Sequence, residues 1–468
     1  MNPSSPASAK WDVLVAGGGN AGLCAAISAR KLGASVCVID AAPAFYRGGN
    51  SRHTRNFRVA HSGYPQILAE TYSKAEFLED LFRVSGEDTN RELAQLTVNN
   101  SRALLDFYQA HGVAFQPALT GTLSLSKSNA FFLGGGRAML NALYRAAERQ
   151  GVAAFYDSEI MYLGIQDGAF RCATIAHDNQ LQEVRAGAIV VASGGFEANT
   201  EWLQTIWGPG ARNFAIRGTP YNTGKVLRLL FERGAQEAGD ARQFHAVAVD
   251  ARAPKFDGGI ATRLDCIPFG IVVDTNANRF YDEGEDLWPK RYAIWGRLIT
   301  QLPDQRAFVI FDSRVKDNFI PALYAAHAAD KIPALAQKLG LDPRQLSRTV
   351  DEFNRNVVSG TFDPSTLDDC RTSGLEPAKS HWAQRIEAPP FFAYPLQPGI
   401  TFTYLGVAVD RYAKVQTTYG PPYRNVFAAG EAMAGSVLKK GYIAGIGMTI
   451  GGVFGRIAGT GAARLAKL

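Results

Sequence analysis

Residues Gly48 to Arg58, GGNSRHTRNFR, put three arginines and a histidine within seven positions, directly after two glycines. Cations gathered beside a glycine turn can hold an anion. Arginine is the better carboxylate clamp, because its planar fork donates two hydrogen bonds at once. Burying several carboxylates without partners is prohibitive, so a site for a polycarboxylate needs several cations. Arg52, His53, Arg55 and Arg58 are therefore candidate substrate ligands. The plainer alternative is a solvated loop, or arginines paired with acids.

A second constellation lies upstream. Gly17-x-Gly19-x-x-Gly22 follows the apolar run Val13 to Ala16 and opens a helical pattern from Ala21 to Leu32, with Asp40 ending the next strand. Gly17 permits the tight turn, Gly19 lets a pyrophosphate approach the backbone, and Gly22 lets the helix pack on the strand. The helix start, which includes Asn20 and Ala21, offers N–H donors and partial positive charge to phosphate. Asp40 would accept hydrogen bonds from a ribose. The strand before, the helix after and the acid beyond raise this motif above a lone glycine pattern and predict dinucleotide binding.

The elements that must carry these groups read as α/β. Helical patterns run near 63–85, 90–111 and 138–150, and β-alternation runs from 151 to 192, ending in AGAIVVASGGFEAN. A helix is expected over 222–235. From 241 to 390 the texture shifts to Pro, Asp and aromatics, and near 400 it returns, with a strand at Val426 to Ala432 and a Gly-rich helix to the end. The expected fold is thus a Rossmann-like nucleotide-binding domain split in sequence (11–240 and 391–468). An α+β domain (241–390) is inserted between its halves, and a disordered lead-in covers 1–10.

With 468 residues, a formal charge of +6 and nearly half its residues apolar, the chain suits a globular α/β enzyme. No basic run interleaved with aromatics appears, so no nucleic-acid partner is expected. The five cysteines are scattered without CxxC spacing, which argues against a disulfide framework, a zinc site or an iron–sulfur cluster; no metal is expected. No apolar run reaches the ~18 residues of a membrane span, and the N-terminus lacks a signal core, so a cytoplasmic location is expected.

The N-terminal motif, GGNS (48–51), GGGRAML (134–140), IVVASGGFEAN (189–199), RFYDE (279–283) and NVFAAGEAMAG (425–435) together resemble the fumarate reductase/succinate dehydrogenase flavoprotein superfamily along most of the chain. GGNSRHTRNFR, PYNTGK and GYIAGIGMTIG look most like its tricarballylate dehydrogenase branch. The resemblance implies non-covalent FAD, with covalent attachment through His53 a less favoured alternative. Gly49, Asn50 and Ser51 would lie near the isoalloxazine, Ser193 and Gly194 would form a strand-end turn approaching the cofactor, and Glu431, after Gly430, would bond the ribityl chain. The helix start at Gly447, Met448 and Thr449 would face the pyrimidine ring.

The resemblance also implies an arginine in the capping domain as the proton-transfer residue. Arg291 is the matching position, across a short insertion, and Arg297 is its competitor. His245 matches a histidine that binds a substrate carboxylate. Two departures count against fumarate or succinate: Thr401, Phe402, Thr403 and Tyr404 occupy the segment where the family has a second substrate histidine, with Thr403 and Tyr404 the expected substrate contacts, and Tyr442 falls where it has an arginine. The resulting expectation is an FAD-dependent dehydrogenase oxidising a carboxylate C–C bond to an alkene, tricarballylate to cis-aconitate. The electron acceptor would be separate, a membrane iron–sulfur protein or quinone, which would bring the enzyme to the inner face of the membrane. A ketosteroid-type Δ-dehydrogenase using Tyr442, another flavin desaturase, a fumarate reductase-like enzyme and a non-catalytic flavin protein are the alternatives.

Overall fold

The computed structural model describes residues 5–64, 66–86, 89–118, 125–257 and 262–467. The glycine motif sits at one end of a sheet whose parallel part runs Ala153–Phe155, Val36–Ile39, Trp11–Ala16, Gln180–Val191 and Val426–Ala428. Val13 to Ala16 and Val36 to Ile39 are fully or almost fully buried, as their unbroken apolar runs require of strands covered on both faces. Ala169–His177 and Glu159–Gln166 extend the sheet antiparallel from the lower half of Gln180–Val191. The carboxyl ends of the parallel strands open one crevice, the place where ligands of such sheets bind.

The helix Asn20–Lys31 leaves that crevice and packs along the C-terminal helix Ile446–Ala466. Gly451, Gly455 and Gly459 recur at every fourth position, so they share one face. A Cβ on Gly455 would lie 2.4 Å from the Ala21 carbonyl oxygen, and one on Gly459 would lie 2.1 Å from that of Ala25. The two backbones therefore touch, and only glycine fits the seam. Cys24 and Cys37 are buried small core residues, as their apolar surroundings suggest.

A second seven-stranded sheet forms the cap. Its long central strand, Phe391–Thr403, pairs antiparallel with Phe244–Asp250, Ala307–Phe311 and His327–Ala329, and parallel with Ala215–Arg217. The expected boundaries of 241 and 390 therefore need correction: Ala215–Arg217 and Phe391–Thr403 both belong to the cap sheet. The helix Lys225–Glu232, between two cap strands, packs on the first domain. A shift in composition marks where texture changes, but strand pairing decides which sheet a segment joins. The lead-in is corrected too. Pro6–Ser8 is a short turn, Pro6 is buried, its carbonyl accepts from the Trp11 indole at 2.9 Å, and Ser5 donates to Gln182. Residues 1–4 of that expectation lie outside the described residues.

Gly459→Val should destabilise the protein toward the upper end of the ~1–3 kcal/mol range for overpacking, since the added carbon meets backbone that cannot yield. Thermal unfolding of the purified variant checks this, and a Tm equal to that of wild type would contradict the seam.

Candidate active site

A single cleft of about 1560 Å³, counted to its open mouth, runs from the glycine motif to the underside of the cap. At its near end Gly17 has φ +104°, and a Cβ there would lie 2.4 Å from the Ala192 carbonyl oxygen. A Cβ on Gly22 would lie 1.9 Å from the Gly17 carbonyl, which is the close helix–strand packing expected of that position. Asp40 lines the cleft but is partly committed to the loop itself: its carboxylate accepts from Gly18 N at 3.1 Å and Ala42 N at 2.9 Å. Burial raises its pKa, and these backbone donors oppose the rise.

Asn20 ties the loops together. Its backbone N–H donates to Ser51 Oγ at 3.1 Å, its side-chain amide donates to the Met448 carbonyl at 3.0 Å, and it accepts from Tyr108 at 2.7 Å. Gly19, Ala21, Gly49, Asn50, Ser51, Ser193, Gly194, Gly430, Gly447 and Met448 all line the cleft. Thr449 does not: its hydroxyl donates inward to the Arg58 carbonyl at 2.6 Å, because the fourth residue of the helix turns back toward the core.

Below the middle of the cleft two carboxyl groups meet. Glu431 accepts from Thr403 N at 2.8 Å and from the Thr403 hydroxyl at 3.2 Å. Glu197 accepts from Asn222 at 2.7 Å and from Asn50. Glu197 Oε2 has no donor of its own and meets the Glu431 carboxyl. Both groups are buried, and burial raises both pKa values, that of Glu197 to about 7. Two adjoining carboxylates in such a place cannot both ionise, so the pair shares a proton.

The buried Ser193 hydroxyl is likewise unpartnered in the cleft wall. A helix start beside a glycine loop, a buried acid at the end of the next strand and unsatisfied polar atoms midway suit FAD; Gly17 to Ala21 would hold its phosphates and Glu431 its ribityl chain.

At the far end Arg55, Arg217, Arg263, His245, Tyr292 and Tyr442 converge with Thr401 and Phe402. Arg263 pairs with Asp265 at 2.5 Å, Arg55 reaches the same acid at 3.7 Å, and Trp288 donates to it at 2.7 Å. Arg217 donates to the Thr401 hydroxyl at 3.1 Å. His245 stacks flat on Tyr442, with centroids 3.7 Å apart, and meets Tyr292 edge-on at 5.6 Å. Burial, helped by the Arg217 charge, holds His245 well below its ordinary pKa, so it is neutral at physiological pH. Burial raises the pKa of Tyr292 and Tyr442; Arg263 and Arg217 oppose the rise at Tyr292. The Tyr442 hydroxyl accepts from Gly447 N at 3.2 Å.

Of the cationic run, His53 and Arg55 line the cleft. Arg58 is fully buried on Asp80 at 3.0 Å and Tyr72 at 2.9 Å, so it is a core ion pair and not a substrate ligand. Arg52 turns away into a separate pocket. Arg291 is locked to Glu285 at 2.5 Å and Tyr281 at 2.8 Å, and Arg297 is exposed on Gln243 at 3.1 Å; neither lines the cleft. The phase of the short helices Trp288–Arg291 and Ile294–Thr300 sends both arginines outward and the neighbouring Tyr292 inward.

Tyr404 is core, donating to the Gly441 carbonyl, and Thr403 supports Glu431; the cleft uses Thr401 and Phe402 instead. Arg217, Arg263, Tyr292 and Glu197 are the site residues that sequence reasoning missed. The only available signal was Arg263 standing two residues before Asp265 in an otherwise uncharged stretch.

The FAD binding domain family model matches residues 12–447. The chain belongs to this family. It is an FAD-binding flavoprotein, and its relatives include fumarate reductases. An NADH:fumarate oxidoreductase of Klebsiella pneumoniae is 27% identical over all of this chain and 49% of its own length. A probable fumarate reductase of Shewanella frigidimarina is 26% identical over 97% of the chain and 74% of its own length. The chain thus spans about half the length of the Klebsiella relative.

Among solved structures, an open flavocytochrome c3 fumarate reductase superposes with TM-score 0.75 at 24% identity, covering 98% of this chain and 79% of that one. The Rhodococcus jostii 3-ketosteroid Δ4-(5α)-dehydrogenase gives 0.75 at 22%, covering 99% and 100%. These likenesses show the fold. Among the described residues no helix is long and apolar enough to cross a membrane.

Glu197→Gln should retain FAD, because the amide can still receive Asn222. Glu197→Leu leaves Asn50 and Asn222 short of an acceptor and should cost about 1–3 kcal/mol. The pair also has a pH signature. An unfolded glutamate ionises near 4.5, but Glu197 holds its proton to about 7 when folded. Its contribution is therefore fully present below the unfolded value and lost as pH rises toward the folded one. Relative to Glu197→Gln, wild type should gain Tm as pH falls from about 7 to 4.5.

Proposed function

We propose that the chain is an FAD-dependent dehydrogenase that oxidises a polycarboxylate C–C single bond to an alkene, with tricarballylate as substrate and cis-aconitate as product. The observation that carries this reading is the convergence of Arg55, Arg217 and Arg263 with His245 at the end of a cofactor cleft. Three guanidiniums suit a substrate with several carboxylates, and neutral His245 can donate one ring N–H to another oxygen. Bound FAD supplies the hydride acceptor.

The substrate must lose a proton from the carbon next to the one that loses hydride. Tyr292 is our candidate acceptor. The Arg263 guanidinium stands 4.7 Å from its ring centroid, and the Arg263 and Arg217 charges offset part of the rise that burial gives its pKa, which stays above the ordinary phenol value. The cap strand presents Thr401 and Phe402 to the cleft, where they would shield the reacting bond from water.

Relatives named as a probable fumarate reductase and as NADH:fumarate and NADH:acrylate oxidoreductases support chemistry at the same kind of bond. Electrons then leave to a separate acceptor, an iron–sulfur protein or quinone, with the enzyme in the cytoplasm or at the membrane's inner face. A ketosteroid-type reading has one specific support: the Tyr442 hydroxyl beside Gly447 N–H could hold a ketone oxygen. The arginines weigh against it.

Arg217→Ala and Arg263→Ala should each weaken tricarballylate binding at least tenfold with FAD retained, as titration of the holoenzyme would read. Tyr292→Phe should slow cofactor reduction at least a hundredfold, a loss in the usual range for an acid–base group. Arg291→Ala should stay near wild type. If Arg291→Ala abolishes reduction while Tyr292→Phe does not, the proton-transfer assignment is wrong. Unchanged binding in both arginine variants would defeat the polycarboxylate reading.

A further inference from the structure

Outside the cleft, Arg47, Arg52, Arg137, Phe45 and Leu140 line a second pocket, of about 460 Å³ counted to its mouth. Arg47 is anchored: it donates to Tyr156 at 2.8 Å, lies 4.1 Å from the Tyr144 ring centroid and reaches Glu148 at 3.8 Å. Arg52 and Arg137 are not anchored in this way. Arg52 donates to the Phe45 carbonyl at 2.5 Å, and among the described residues no carboxylate pairs with it or with Arg137. Burial and then the Arg137 charge lower the proton affinity of Arg52, so the two guanidiniums repel one another.

Beside them Phe45 is 64% and Tyr46 50% exposed. Both rings lie within reach of Arg52, and Phe45 within reach of Arg137. Exposed aromatics set among arginines are the composition of a protein-binding hot spot, and unpaired guanidiniums favour a carboxylate-rich partner. The location adds a second argument. Gly48 and Ser51 line the cofactor cleft, while their chain neighbours Arg47 and Arg52 line this pocket, so a single loop separates the two.

We propose that Phe45, Tyr46, Arg52 and Arg137 form the docking face for an acidic redox protein that takes electrons from the bound cofactor. This rests on the reading that reducing equivalents leave through a separate acceptor. Each docked partner accepts one electron at its own metal centre. Two such transfers reoxidise one cofactor, and the proton it carried passes to solvent.

The test uses holoenzyme reduced with stoichiometric dithionite and mixed anaerobically with oxidised cytochrome b5, an acidic haem protein, or with cytochrome c, a basic one. Haem reduction is followed against salt in wild type, in R52E/R137E and, should charge reversal harm folding, in R52Q/R137Q. Cytochrome b5 reduction should slow as salt rises and fall at least tenfold in the double variants, with cytochrome c not slowed. An unchanged cytochrome b5 rate, or an equal fall with both cytochromes, would overturn the proposal. Because reduction is chemical, failure of tricarballylate as substrate leaves this outcome readable, and the two readings fail separately.

Discussion

The contact on which the rest of the molecule depends is backbone against backbone. Gly455 and Gly459 of the last helix lie directly on the carbonyls of Ala21 and Ala25 in the first. With no side chain between them, two helices more than 400 residues apart in sequence start side by side at one crevice. Asn20 then joins their first turns through the Met448 carbonyl and holds the GGNS loop through Ser51. The parts that suit phosphate and those that suit the flavin ring are thereby fixed to one another.

The cap depends on this frame through the central strand Phe391–Thr403. Its end delivers Thr401 and Phe402 to the cleft, and Thr403 closes on Glu431. Glu431 in turn meets Glu197, whose Asn50 and Asn222 donors come from the GGNS loop and the segment before Lys225–Glu232. The GGNS loop and the end of the central cap strand thus share one buried polar network, in which a proton replaces a cation. Such a network stabilises only when every member is satisfied, which explains why so many loops converge on it.

The nucleotide half was legible in sequence because its chemistry is written locally. Gly17, Gly19, Gly22 and Asp40 each follow from one turn of backbone, and the α/β texture follows from apolar runs and periodicity. The substrate half was less legible, because phase and pairing decide it. Arg291 and Tyr292 are adjacent, and only the turn of a short helix shows which one faces inward. Thr403 and Tyr404 were expected where Thr401 and Phe402 lie, two residues off, since the point where a strand leaves its sheet is not a local property. Arg58 looked like Arg55 in sequence, yet it ends a short strand and faces Asp80 on the helix Lys74–Ser85. Arg217 and Arg263 reach the cleft from separate parts of the cap.

The central claim is that three arginines under the cap select a polycarboxylate for oxidation by the bound flavin. The most direct measurement mixes holoenzyme anaerobically with tricarballylate, succinate, citrate and a 3-ketosteroid and follows the flavin absorbance near about 450 nm, where the oxidised cofactor absorbs. The account predicts bleaching by tricarballylate, with little or none from the others. Bleaching by the ketosteroid alone would contradict it and move the centre of the site from the arginines to Tyr442.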